Sequence, residues 1–142
     1  MAVLVTDSGF RPDDWRHGYV PLAALSALPD LTGPAAVDLS APVLSRDDWA
    51  RLCVALPRLS LIRVRLRHFG DMQALDLARA IRAHGYARRL RAHGAVLAQA
   101  YTLVRRAGFD EVELDRDQAR RQPPEHWHNN PAWQPRSRLS AR

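Results

Sequence analysis

An α/β fold is predicted, a β-α-β-α-β unit with a mostly parallel sheet and its helices chiefly on one face, and three observations over residues 60–115 carry it. Residues 60–67, 88–93 and 111–115 alternate apolar and polar side chains at period two, the mark of a strand with one buried face. Residues 71–84 and 95–107 carry helical spacing and end at Gly85 and Gly108, the residue type that most often follows a helix. The loops between these segments are short, and strand–helix–strand order with short loops implies parallel strands joined by right-handed crossovers.

The elements before this unit fit the same architecture. Residues 3–6 form a β-prone run ended by the turn-forming Asp7-Ser8-Gly9. Pro12 and Pro21 oppose a long helix between residues 10 and 29, leaving room for a short one at 22–28. Residues 35–39 read as a strand after the Gly33-Pro34 turn. Ser45 is placed to cap a helix whose first turn holds Asp47 and Asp48, where the helix dipole favours acids. Trp49, Leu52, Cys53 and Leu56 follow at amphipathic spacing, and Pro57 ends the run. Residues 1–115 are therefore expected to form one domain, with 1–34 partly irregular. Residues 116–142 read as a basic, Pro/Arg-rich tail with little regular structure, in which Trp127 and Trp133 are the residues able to pin it down.

Alternation sorts the strands into two faces. Ile62, Val64, Leu66, Leu90, Ala92, Val112 and Leu114 share one, with Val37 and Leu39. Arg63, Arg65, Arg67, Arg89, Arg91, His93, Glu111, Glu113 and Asp115 share the other, with Asp38. Parallel sheets usually have both faces covered and read as continuous apolar runs. Here the helices must pack on the apolar face alone, in a two-layer or half-barrel-like arrangement. Unpaired buried arginines are too costly for a second core layer, so the charged face must meet water, a partner, or its own N-terminal segment. With strands side by side in chain order, arginine rows neighbour an acidic row, and cross-strand ion pairs worth roughly 0.2–1 kcal/mol each follow. Three readings stay open: a solvated face, a surface that docks an acidic protein or an anion, and a polar half-barrel interior completed by a second copy in a homodimer. The docking residues would be Arg63, Arg65, Arg67 and Arg89.

Composition narrows the classes. The 142 residues suit one domain, and 46% hydrophobic content supports a core. The net charge is +6 and all 21 positive residues are arginine, the side chain best suited to bidentate oxyanion recognition. Nucleic-acid binding would rest on charge alone, because the arginine strands lack interleaved aromatics, and is not expected. The single cysteine, Cys53, rules out an internal disulfide and suits a reducing cytoplasm; on the apolar stripe it is expected to be a buried, inert thiol. The first apolar run stops at Asp7 and none reaches the roughly 20 residues needed to span a bilayer, so neither a signal peptide nor a membrane span is expected.

Ligands of open parallel sheets gather beyond the carboxyl ends of the strands. That edge holds His68 and Asp71 after one strand and His93 and Gly94 after the next, and Gly94 opens the following helix, whose free N–H groups attract anions. Arg91, His93, Gly94, Asp71 and His68 are therefore the anion-binding candidates, set against a bland alternative in which Asp71 is an N-cap, His68 a surface residue and Gly94 a turn. No G-x-G-x-x-G and no G-x-x-x-x-G-K-[ST] occurs, which disfavours a nucleotide enzyme. His126-Trp127-His128 lacks a third metal ligand, and one cysteine cannot hold an iron–sulfur cluster, so no metal and no cofactor is expected.

Several segments resemble the bacterial domain-of-unknown-function family nine-three-four. They are Asp13-Asp14-Trp15, Val20-Pro21-Leu22, Leu61-Ile62-Arg63-Val64, Phe69-Gly70-Asp71, Ala78-Arg79, residues 90–97 and residues 105–114. No catalytic signature is among them. The resemblance implies a gene often placed beside that of an assimilatory sulfite reductase, in a family often labelled oxidoreductase. The chain departs from it in two places, with Asp71-Met72-Gln73-Ala74 where the family has Asp-Gly-Arg-Gly, and Gln99-Ala100 where it has Asp-Gln. The function expected is a non-catalytic accessory or adaptor of assimilatory sulfite reduction that docks the reductase or an acidic electron carrier. The alternative is a sulfite- or sulfate-binding protein or enzyme, with its site at the carboxyl edge of the sheet.

Overall fold

The computed structural model describes residues 2–30 and 33–128, and among these seven strands form one sheet. In chain order they are β1 (Val3–Thr6), β2 (Gly9–Pro12), β3 (Val20–Pro21), β4 (Ala35–Leu39), β5 (Leu59–Leu66), β6 (Arg89–Gly94) and β7 (Glu111–Leu114). Across the sheet the order is β2-β1-β7-β6-β5-β4-β3. Neighbours from β3 to β7 are parallel, while β1 adds to β7 and β2 to β1 antiparallel. The three alternating segments are thus adjacent in chain order, as short crossovers require.

The helices are α1 (Arg46–Ala55), α2 (Met72–Ala83), α3 (Tyr101–Ala107), α4 (Arg116–Arg121) and α5 (Pro124–His128), and a 3-10 helix covers Leu22–Asp30. Ser45 caps α1 by accepting the Asp48 N–H at 3.1 Å. Helix α2 buries Ala74, Leu75, Leu77, Ala78 and Ile81. These meet Val37, Leu39, Ile62, Val64, Leu66, Leu90, Ala92, Val112 and Leu114 in one apolar cluster with Leu52, Tyr101 and Val104. The core therefore lies on the predicted apolar face, between sheet and helices. Leu4, Ala36 and Leu61 are also buried, yet they stand outside this cluster. Alternation places them on the opposite face, which is covered as well.

Two expectations are corrected. The helix expected over 95–107 begins only at Tyr101, after a 3-10 turn over Ala98–Ala100. The intervening polar groups bond elsewhere: Ala95 N–H donates to Leu66 C=O at 2.9 Å, Ala98 N–H to Gln122 Oε1 at 2.7 Å, and Gln122 Nε2 to Val96 C=O at 3.0 Å. Beyond Asp115 the chain forms two further helices, α4 and α5. Asp115 and Gln118 form a reciprocal capping box that starts α4. Helix α5 carries Trp127, 1% exposed, which packs edge-to-face on Tyr101 at 5.7 Å and donates its indole N–H to Gln122 C=O. Residues 129–142, including Trp133, lie outside the described residues. Cys53 is half-buried rather than buried, and burial raises its thiol pKa. No helix among the described residues is long and apolar enough to cross a membrane.

Gly94 ends β6 at φ +93°, and a Cβ there would stand 2.4 Å from Leu66 C=O, an oxygen already bonded to Ala95. Gly70 also has positive φ but faces open space. Chemical denaturation is expected to show Gly94→Ala losing about 3 kcal/mol or more and Gly70→Ala only about 1 kcal/mol, since one adds a backbone clash to the strain and the other does not.

Candidate functional site

The charged face is built on register. Asp38, Arg63, Arg91 and Glu111 lie opposite one another across β4, β5, β6 and β7. Arg91, 0% exposed, is the centre. Its Nε donates to Glu111 Oε2 at 2.6 Å, and its Nη1 donates to Glu113 Oε1 at 2.8 Å and to Tyr19 Oη at 3.1 Å. Asp13 lies 3.2 Å from the same Nη1, while Nη2 is buried without an acceptor, 3.9 Å from Asp14. Arg63 donates Nε to Asp38 Oδ1 at 2.9 Å and Nη1 to Glu113 at 3.0 Å, and it stacks 4.0 Å above the Tyr19 ring. Arg89 bridges Glu111 and Asp14, each at 2.8 Å.

The lid of this network is the N-terminal segment. Asp13 N–H bonds to Ala2 C=O, and Asp13 Oδ1 accepts the Trp15 N–H, which turns the chain back over the sheet. The segment thereby supplies Asp13, Asp14 and Tyr19 to arginines that the sheet alone leaves short of counter-charge. Burial presses the Arg91 guanidinium toward losing its proton, and Glu111 and Glu113 more than reverse this, so its pKa lies above the usual arginine value. Burial opposes the charge on Asp38, but the neighbouring His93 ring and the hydrogen bond from Arg63 outweigh it and hold its pKa at about 2.

The anion candidates do not converge. Arg91 is sealed inside the network. His93 places Nε2 3.5 Å from Asp38 Oδ1. Asp71, 1% exposed, accepts the Arg67 backbone N–H at 3.0 Å and its Nε and Nη2 at 2.9 and 3.1 Å; this pairing, led by the Arg67 guanidinium, lowers its pKa. His68 is exposed beside Phe69 C=O. Gly94 turns its carbonyl to Gln118 Nε2 at 2.6 Å, and helix α3 opens several residues later. Of the docking candidates, Arg63 and Arg89 are consumed internally and Arg67 is tied to Asp71. Arg65 is exposed and makes no ion pair among the described residues.

Two open features lie at the carboxyl edge of the sheet. Phe69, in the loop after β5, and Met72, the first residue of α2, are 63% and 51% exposed, and the same connection carries Arg67 and His68. At the end of β4 a cleft of about 480 Å³ opens between Tyr19, Leu22, Asp38, Ser40, Val43 and Leu44. Among the described residues no group of three or more His, Cys, Asp or Glu is arranged to hold a metal ion. Sequence reasoning missed Asp13, Asp14 and Tyr19 as network members, and Gln118 and Gln122 as the groups that close the β6 loop. An acidic pair ahead of two aromatics in a strongly basic chain was the signal for the first three.

The family model for bacterial protein of unknown function (DUF934) matches residues 42–132, more than half of the chain, and the chain belongs to that family. No curated protein and no solved structure matches it.

Two measurements check the network. Arg91→Met leaves Glu111 and Glu113 without their shared cation and is expected to lower unfolding free energy by about 3–5 kcal/mol, against less than about 0.5 kcal/mol for Arg65→Met. A carboxyl whose folded pKa is depressed stabilises the fold above its unfolded value and loses that contribution as pH falls. For Asp38 the window runs from 3.8 down to about 2. The stability gap between the wild type and Asp38→Asn, on the order of 2 kcal/mol at neutral pH, is therefore expected to narrow across that window in urea titrations.

Proposed function

We propose that this chain is an accessory or adaptor protein of assimilatory sulfite reduction, acting in the cytoplasm and docking the reductase or an acidic redox partner. The pathway comes from the family resemblance. The ion network supports the choice of surface: it engages Arg63, Arg89 and Arg91 internally and leaves Arg65, near the β5–α2 corner, without an ion pair among the described residues. The observation that carries the reading is the pair Phe69 and Met72, 63% and 51% exposed and a few residues along the chain from Arg65, which makes no ion pair among the described residues. Aromatic, methionine and arginine side chains are enriched in interface centres. Arg65 favours an acidic counterpart and would steer the encounter.

A second reading keeps the oxyanion. Arg65 and His93 face each other in register on β5 and β6. That pair, and not Arg91, would meet sulfite or sulfate, and calorimetric titration with both anions separates this reading from docking.

A pull-down with the reductase at low and high salt tests the proposal. Association is expected at low salt, weakened at least about tenfold by Arg65→Glu and by Phe69→Ala, and lost at high salt. No salt-sensitive association in any arm would sink it. Deleting the gene is expected to cause cysteine auxotrophy that sulfide rescues.

A further inference from the structure

The cleft at the end of β4 has a chemistry opposite to that of the chain as a whole. The protein carries +6, yet the cleft lining holds two carboxylates, Asp38 and Asp48, and no basic side chain. Asp38 accepts from Arg63 on Oδ1, with His93 Nε2 3.5 Å from the same oxygen, and no hydrogen bond reaches Oδ2 among the described residues. Asp48 likewise receives Arg51 on Oδ1 alone, at 2.7 Å. Each of these two cleft-lining carboxyl groups therefore has one oxygen that accepts no hydrogen bond among the described residues. Tyr19 adds a hydroxyl whose oxygen already accepts from Arg91, leaving its own proton to donate. Burial raises the Tyr19 pKa, so that proton stays.

The remaining walls are apolar, formed by Val20, Leu22, Leu39, Val43 and Leu44. Val43 is 58% exposed and stands at the rim as a large aliphatic group with unfilled space beside it. A volume of about 480 Å³ falls within the range of small-molecule sites, and position beyond the carboxyl end of a parallel strand is where such folds bind ligands. A divalent cation is a poor match, because calcium requires six to eight oxygen ligands and the walls offer few. An anion is a worse one, since both lining charges are negative.

We propose that this cleft binds a small organic ammonium compound, an alkyl- or arylamine whose charged nitrogen meets Asp38 and whose apolar body lies against Val43, Leu44 and Leu22. The site is separate from the docking corner at Phe69 and does not depend on that reading.

Nuclear magnetic resonance titration of the full chain tests it, with phenethylammonium chloride as the probe and sodium 3-phenylpropionate as its anionic counterpart at equal ionic strength. The expected result is saturable shifts confined to residues 19–22 and 38–48 with the amine, and none with the carboxylate. Asp38→Asn is expected to weaken the amine at least about tenfold. Because that change also disturbs Arg63, Val43→Trp provides the second arm: it fills the cleft from an exposed position, leaves the ion network intact, and is expected to abolish the shifts. Absence of saturable shifts with the amine, equal binding of the carboxylate, or unchanged affinity in Val43→Trp would each overturn the proposal.

Discussion

A guanidinium removed from water needs counter-charge within hydrogen-bond reach, and Arg91 imposes that need on everything around it. It sits 0% exposed on β6, where alternation aims it away from the helices. Glu111 and Glu113 answer from β7, and Asp13 and Tyr19 answer from the N-terminal segment. Buried ion pairs stabilise little over a well-packed apolar substitute, because desolvation of both charges offsets their attraction. Their effect here is on uniqueness. A slip of one residue in β6 would turn Arg89 and Arg91 toward the apolar core, strip Glu111 of both its arginines and leave Glu113 with Arg63 alone, so the network closes fully in one register. The same requirement explains the N-terminal hairpin. Strands β1 and β2 extend the sheet past β7, and the chain then returns across the charged face to β3 on the far edge.

This arrangement decides which charges are available to anything outside the chain. Arg63 and Arg89, which alternation alone presents as a basic surface, face Asp38, Glu113, Asp14 and Glu111 at 2.8–3.0 Å. A partner would have to break those bonds to use them. Arg65, one step further along β5, is exposed and makes no ion pair among the described residues. The β5–α2 corner with Phe69 and Met72 and the acidic cleft at Asp38 thus lie at one edge of one sheet with opposite electrostatic character.

Much of the fold was readable before any coordinates. Period-two alternation identified β5, β6 and β7, and glycines closed α2 and α3, because these signals depend on neighbours in the chain. The order of the strands and the side on which the core lies followed from the same pattern. The misreadings share a cause. The helix expected from Ala95 starts late because Gln118 and Gln122, more than twenty residues away, take the bonds of its first turn. Residues 116–128 were read as a tail since prolines hide two short helices held by one tryptophan. The convergence expected of Arg91, His93, Gly94, Asp71 and His68 came from their common edge, but Arg91, His93, Gly94 and Asp71 each face a different neighbour and His68 stands exposed. Asp13 and Asp14 belonged to an irregular segment without periodicity, and only tertiary structure brings them to Arg89 and Arg91.

The central claim is that Arg91 is sealed in a closed network while Arg65 is open. Hydrogen exchange of the arginine Nε–H groups, followed in the intact chain at neutral pH, reports this directly. The account predicts that the Arg91 signal, bonded to Glu111 at 2.6 Å, exchanges slower than that of Arg65 by orders of magnitude. An Arg91 signal that exchanges as fast as that of Arg65 would contradict it.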